Sequence, residues 1–176
     1  MDDQIITLGF DPSLNNTGWA VFKDKELVET GVVTLVKELR SMVNDKTIPL
    51  PERQFIKRGV IALAVIELLE KWMPDVIGIE EERVYGSTST ASVSRVIGLI
   101  EGVVSCWISK FNAGTPIMID VNPKVARSLL GLNQSNKARI LAEVQMIFPR
   151  SDIKTDHEAD AVAVGNCAFY KYMNML

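Results

Sequence analysis

The segment that most constrains the fold runs from Ile5 to Phe22 and reads IITLGFDPSLNNTGWAVF. Its two apolar runs flank a turn rich in Pro, Ser, Asn and Gly, which predicts two neighbouring strands joined by a tight reversal. The first run ends at Asp11, so a carboxylate is expected at the inner end of a buried strand. That carboxylate could bind a metal or could cap the turn through its own side chain, and this segment alone leaves both explanations open.

Composition and charge narrow the class of protein. The 176 residues, 47% apolar and 23% charged, are expected to form one domain spanning residues 1–176 with a full hydrophobic core. The net charge of −3 gives no global basic field, although a local basic patch is enough to bind nucleic acid. Cys106 and Cys167 lack metal-binding spacing and are predicted to be buried free thiols in a reducing compartment.

Membrane insertion is not expected. The acidic N-terminus lacks the charge pattern of a signal peptide, and the long apolar helix of about residues 92–112 contains Arg95, Glu101 and Lys110. These features predict a core helix in a cytoplasmic protein.

The first half of the chain alternates between strand and helix patterns. Leu27–Leu35 is predicted to be a third strand in an antiparallel meander, and residues 36–54 an exposed connection. Glu52–Met73 has apolar residues three and four apart, which predicts an amphipathic helix. Its expected buried residues are Phe55, Ile56, Val60, Leu63, Ile66, Leu69 and Met73. Glu67 and Lys71 should form a favourable pair on its other face.

Asp75–Glu80 is a second apolar run that ends in an acid, and its position after a long helix predicts parallel pairing. Gly98 and Gly102, in the following helix, would allow close helix packing, either against the sheet or against a second copy of the chain. A fifth strand is predicted at Pro116–Val121. Three helices are then predicted, beginning near Asn122 and Lys137 and over about Thr155–Met173. This order, βββαβαβαα and a final helix, predicts an α/β fold.

The final helix carries candidate functional residues in its first turn. Thr155 and Glu158 fit a capping box, while His157 and Asp160 lie three apart on a stripe that faces the core. Small residues along the helix would let it press closely on a sheet. His157, the single histidine, could be a hydrogen-bonded core residue or part of a site.

The acids at the strand ends and the start of the final helix are predicted to converge. Asp11, Glu80 and Asp160, with His157, would repel one another unless divalent cations lie among them. Two cations bridged by a carboxylate suit attack of water on a phosphodiester.

The element order and three segments, GFDPSLNNTGWAV, VIGIEEE and HEADAVAVG, resemble the RuvC family of Holliday junction resolvases over about Ile5 to Ala168. The resemblance implies an RNase H-like fold, with a five-stranded mixed sheet of three antiparallel and then two parallel strands, flanked by helices. It implies an endodeoxyribonuclease that resolves four-way junctions by paired symmetric nicks. It also implies two Mg²⁺ per site, with Mn²⁺ as a substitute, a homodimer, and the cytoplasm of a bacterial or phage-infected cell.

By the same resemblance, Asp11, Glu80 and Asp160 correspond to the three family acids. His157 falls where many members have aspartate, which makes the metal preference uncertain because imidazole binds manganese better than magnesium. His157 could instead act as a general base. Less favoured ligands are Asp156, Glu81 and Glu82.

Nucleic-acid contacts are also implied. Lys137 has the spacing from Gly131 at which the family places a lysine near the cleaved phosphate, and Arg83 or Tyr85 is nearest to the family's junction-inserting position. Further candidate phosphate contacts are Arg95, Lys124, Arg127 and Arg139.

Three rival functions remain. The first is a nuclease of the same fold that acts on flaps, other branched DNA or structured RNA. The second is a sugar-kinase or actin-like fold, which needs a second domain and a phosphate-binding loop. The third is a catalytically silent junction-binding protein, which the complete set of acids disfavours.

Overall fold

The computed structural model describes residues 4–81, 88–111, 116–132, 137–149 and 153–175, apart from the side chains of residues 88–90, 111, 137 and 138. In chain order its elements are β1 (Ile6–Asp11), β2 (Gly18–Lys23), β3 (Glu26–Val32), α1 (Lys37–Asn44), α2 (Leu50–Trp72), β4 (Val76–Glu80), α3 (Thr88–Phe111), β5 (Ile117–Val121), α4 (Pro123–Leu129), α5 (Lys137–Ile147) and α6 (Asp156–Met173).

The five strands form one mixed sheet in the order β3-β2-β1-β4-β5. β1 pairs antiparallel with β2, and β2 with β3, whereas β4 pairs parallel with both β1 and β5. The predicted α/β fold, with three antiparallel strands followed by two parallel ones, is confirmed. This topology brings the carboxyl ends of β1, β4 and β5 to the same edge of the sheet, where ligand sites of open parallel sheets commonly lie.

The two faces of the sheet are packed differently. On one face, large residues such as Leu8, Phe10 and Ile77 form the main core with α2 and α3. On the other face α6 lies almost against the strand backbones. A Cβ added at Gly9 would be 2.5 Å from the Gly165 nitrogen and 2.6 Å from the Ala161 oxygen. The predicted role of small residues in α6 is therefore confirmed: they allow close helix-on-sheet packing.

The connection predicted at residues 36–54 contains a helix that sequence patterns missed, α1, together with the start of α2. Within α1 only Val43 is buried, and its N-cap Val36 makes no side-chain capping hydrogen bond. A helix of eight residues with one buried side chain and no capping residue leaves little periodic signal.

The face that α2 buries differs from the predicted one. Its buried residues are Ile61, Val65, Leu68 and Leu69, of which only Leu69 was expected. Phe55 is 72% exposed and Leu63 63% exposed. Apolar residues surround most of this helix, so spacing alone fits two faces, and packing against the sheet and α3 selects one. Lys71 likewise pairs with Glu29 of β3, at 2.5 Å between Nζ and Oε2.

One side of α3 enters the core and the other does not. Val96, Ile100, Val104 and Trp107 are buried in the main core. The window Ala91–Lys110 is long and apolar enough to span a membrane, and 22% of it is buried.

The outer side of α3 corrects two predictions. Cys106 is exposed, while Cys167 is buried as expected. A Cβ added at Gly98 or Gly102 would meet nothing within 4 Å, so these glycines do not serve packing against the sheet. Instead they line an apolar groove of about 360 Å³ between α2 and α3. The other lining residues are Ile66, Glu70, Leu99, Val103, Cys106, Trp107 and Lys110.

Candidate active site

Two acids lie side by side at the carboxyl edge of the sheet. Asp11 ends β1 and Glu80 ends β4, and the last paired residues before them are Phe10 and Ile79. Because side chains alternate along a strand, Asp11 and Glu80 emerge on the face of Gly9 and Gly78, the face that α6 covers. Neighbouring strands lie about 4.8 Å apart, so the two carboxylates are immediate neighbours.

The first turn of α6 is held by the predicted capping box. The Thr155 hydroxyl accepts a hydrogen bond from the Glu158 backbone N–H, and the Glu158 carboxylate accepts from the backbone N–H groups of Thr155 and Lys154. Glu158 is itself buried. The cap therefore fixes the turn that carries His157 and Asp160.

The segment after Asp11 positions the same turn of α6. The Thr17 hydroxyl donates to the Ser13 carbonyl and accepts from the Ser13 backbone N–H, at 3.3 Å, and Thr17 is buried. A Cβ added at Gly18 would collide with the backbone carbonyl of His157. Thus Thr17 closes the turn, and Gly18 lets the start of α6 approach β2. Sequence patterns indicated the turn but not this contact.

His157 contacts Asp11 directly. Its Nδ1 lies 2.7 Å from Asp11 Oδ2, and the two side chains are 25% and 14% exposed. An ionised carboxylate can only accept hydrogen bonds, so Nδ1 is the donor, and in the neutral tautomer the ring's lone pair lies on Nε2. The contact joins the first strand and the last helix, as the sequence predicted, and it defines which nitrogen of His157 can accept a proton or bind a cation.

Asp160 is held by Arg127, a contact that sequence reasoning missed. The Arg127 Nε and a terminal nitrogen lie 3.0 and 2.7 Å from Asp160 Oδ1, and the side chains are 23% and 12% exposed. Arg127 comes from α4, whose N-terminus has the predicted Asn122 cap and Pro123 at its first position. Arg127 was predicted as a phosphate contact. The structure instead aims it into the site.

The donor set has the chemistry of a site for a hard divalent cation. Carboxylate oxygens suit Mg²⁺ and Mn²⁺, and imidazole suits Mn²⁺ better than Mg²⁺. Within the described residues, however, no group of three or more His, Cys, Asp or Glu side chains is already gathered as a metal cluster. The residue types fit the cation, while Asp160 is engaged by Arg127.

The remaining predicted residues lie around this edge or outside the described residues. Arg83, Tyr85 and Glu82 are outside them, and Lys137 begins α5 with its side chain undescribed. Arg95 and Lys124 are exposed, Arg139 pairs with Glu143, Glu81 accepts a hydrogen bond from Asn122, and Asp156 is the first residue of α6.

Comparison with known proteins identifies the family. A sequence model of crossover junction endodeoxyribonuclease RuvC matches residues 7–168. The chain belongs to the RuvC family. Among its relatives, the RuvC protein of Rickettsia typhi is 27% identical over 164 residues, covering 91% of this chain and 94% of the relative. That of Bartonella henselae is 23% identical over 169 residues, covering 95% and 90%.

Solved structures of RuvC-type enzymes share the fold. Thermus thermophilus RuvC in complex with a Holliday junction substrate superposes with a TM-score of 0.65 at 25% identity, covering 97% of this chain and 96% of that one. The yeast mitochondrial Holliday junction resolvase Ydc2 has a TM-score of 0.59 at 15% identity, covering 96% and 83%, and supports the fold alone. The RuvC family is one of metal-dependent nucleases that hydrolyse DNA.

Proposed function

We propose that this chain is a metal-dependent endonuclease that resolves four-way DNA junctions by paired symmetric nicks. The observation that carries the proposal is the Asp11–His157 contact beside Glu80, at positions within the family match. We further propose that residues 1–176 act as one nuclease domain in the cytoplasm of a bacterial cell.

Asp11, Glu80 and Asp160 would hold the divalent cations, with Mg²⁺ as the proposed ion and Mn²⁺ as its substitute. When bound, such ions neutralise charge on the phosphodiester and supply an activated water at neutral pH. The protein's part is to place its carboxylates. Asp11 is the shared group, because β1 sets it beside Glu80 and its Oδ2 accepts from His157.

His157 has two proposed roles, as a ligand through Nε2 or as a base that accepts the proton of the attacking water. Both need a fixed ring, and the Asp11 contact together with the capped first turn of α6 provides it. We propose that this residue shifts the preference toward Mn²⁺.

DNA would bind across the same edge of the sheet. We propose Lys137, Arg83 and Tyr85 as contacts on the grounds of family spacing, and the turn at residues 12–17 as a neighbour of the DNA backbone. The turn lies between Asp11 and the start of α6, so a phosphate at the acids would pass close to it.

A homodimer is proposed because a four-way junction is two-fold symmetric, and two equivalent nicks need two equivalent sites. The apolar groove between α2 and α3 would form its interface. Phe55 and Leu63 on α2 are exposed, and the groove beside them is lined by Ile66, Leu99 and Val103. An exposed apolar patch of this kind marks an interaction surface.

Asp11→Asn provides the first test of the site. Asparagine can still accept from His157 Nδ1 but loses the negative charge, so binding of the junction should persist while nicking falls by at least about a hundredfold. The matched control is Asp120→Asn, an exposed carboxylate on the neighbouring strand. If Asp11→Asn nicked at the native rate, the assignment of Asp11 as the shared ligand would be wrong.

The substrate is tested by comparing a four-way junction, a flap and a linear duplex at one salt concentration, because affinity for DNA depends steeply on salt. Paired nicks at symmetric positions in the junction, with little cleavage of the other two, support the proposal. Equal or faster cleavage of flaps would favour a general branched-DNA nuclease. Binding without any cleavage would favour a silent junction-binding protein.

A further inference from the structure

Arg127 occupies the position at Asp160 that a cation would take. Two of its nitrogens converge on a single carboxylate oxygen, and both side chains are mostly buried. Charge-assisted pairs of this geometry are among the stronger hydrogen bonds in proteins. The pair therefore compensates Asp160 without any metal, while His157 provides a partner for Asp11.

This arrangement creates a competition. Asp160 is one of the carboxylates proposed to hold a divalent cation, and an oxygen that accepts two Arg127 hydrogen bonds is a poorer ligand while it does so. Like charges repel, so a guanidinium and a divalent cation on one carboxylate destabilise each other.

We propose that Arg127 is a positioning residue that exchanges partners: it pairs with Asp160 in the metal-free protein and is displaced toward the DNA backbone when a divalent cation binds. It follows that Arg127 weakens metal binding in the absence of DNA and adds a phosphate contact in the metal-loaded complex. The inference rests on the proposed function, because it takes Asp160 as a ligand.

The short helix α4 suits such an exchange. Arg127 sits in its last turn, close to the left-handed Gly131, while the other end of the helix is anchored by Asn122. A long side chain on a surface helix can change partner by rotating about its own bonds, so the exchange needs no movement of the sheet.

The decisive measurement is Mn²⁺ affinity without DNA, obtained from the EPR signal of free Mn²⁺. Arg127→Gln should bind Mn²⁺ roughly three- to tenfold more tightly than the native chain, because a partly buried charged competitor is gone. Arg127→Lys, which keeps the charge but not the fork, should stay closer to the native value. Lys124→Gln removes an exposed charge from the same helix and controls for general electrostatics.

If Arg127 served only to orient Asp160 as a ligand, its removal would weaken Mn²⁺ binding, and that result would overturn the proposal. An equal gain in Arg127→Gln and Lys124→Gln would also overturn it, since the effect would then come from net charge. Because no DNA is present, a native protein that failed to cut junctions would contradict the proposed function and leave this result unaffected.

A second readout tests the displacement itself. Junction affinity is measured against salt, in Ca²⁺ and in EDTA, with a denaturing gel to show that the DNA stays intact. One added phosphate contact steepens the log–log slope by about 0.9. The change from EDTA to Ca²⁺ should thus be about 0.9 steeper in the native chain than in Arg127→Gln. Identical changes in both proteins would overturn the displacement.

Discussion

Two charged contacts organise the site at the scale of single residues. His157 meets Asp11, and Arg127 meets Asp160, so each helix side chain is paired with a group from another element. Both contacts are partly buried, where electrostatic interactions are screened less than at the surface. The pairs let acids gather at the sheet edge before any cation arrives.

His157→Asp should change the metal preference of the nicking reaction. Aspartate offers oxygen ligands in place of an imidazole nitrogen, so Mg²⁺ should gain relative to Mn²⁺ and the ratio of the two rates should move toward one. The rates are compared on the same junction with each metal in turn. An unchanged ratio would mean that His157 is not a ligand and would leave the role of base.

At the scale of elements, the contact between α6 and β1 sets the geometry of the site. The helix runs along the sheet so closely that Gly9 lies against Gly165 and Ala161, and this proximity aims the first turn of α6 at the end of β1. A helix carrying large residues on that stripe would stand farther from the sheet. His157 would then not reach Asp11.

Gly9→Ala should therefore destabilise the fold by about 1–3 kcal/mol, since the added methyl group overlaps backbone atoms that cannot move independently. Gly59→Ala is the control, because nothing lies within 4 Å of its added Cβ. In the interior of α2 that change should stabilise the protein by about 0.5–1 kcal/mol. Chemical denaturation measures both. Equal stability of the two variants would contradict the close packing of α6.

At the scale of the whole molecule, the two faces of the sheet have separate tasks. The α6 face carries the proposed chemistry, while α2 and α3 on the other face cover the main core and leave an apolar groove outward. If that groove forms the dimer interface, the two sites of a dimer are held apart by rigid elements rather than by loops.

Gly102→Lys should convert the proposed dimer into a monomer. The site is open in a single chain, so lysine fits there, but in an interface it would bury an unpaired charge. Ala142→Lys, at an exposed position on α5, is the control. Light scattering measures the mass against 19.5 kDa per chain. A native protein that scatters as a monomer at working concentration would contradict paired nicking by a dimer.

The sequence by itself determined the strand order, the acids at the ends of β1 and β4, and the capped start of α6. These features depend on local signals: apolar runs that end at Asp11 and Glu80, and a capping box at Thr155. Such patterns act over a few residues and do not depend on what packs around them. The same local signals carried the resemblance to the RuvC family.

Only the tertiary structure decided which face α2 buries, that Cys106 is exposed, and that Arg127 pairs with Asp160. Apolar residues surround most of α2, so packing had to choose among faces of similar hydrophobicity. Arg127 and Asp160 are 33 residues apart, and no spacing rule links them. Their contact exists because α4 and α6 meet beside the sheet edge, a property of the packed elements that neither segment encodes alone.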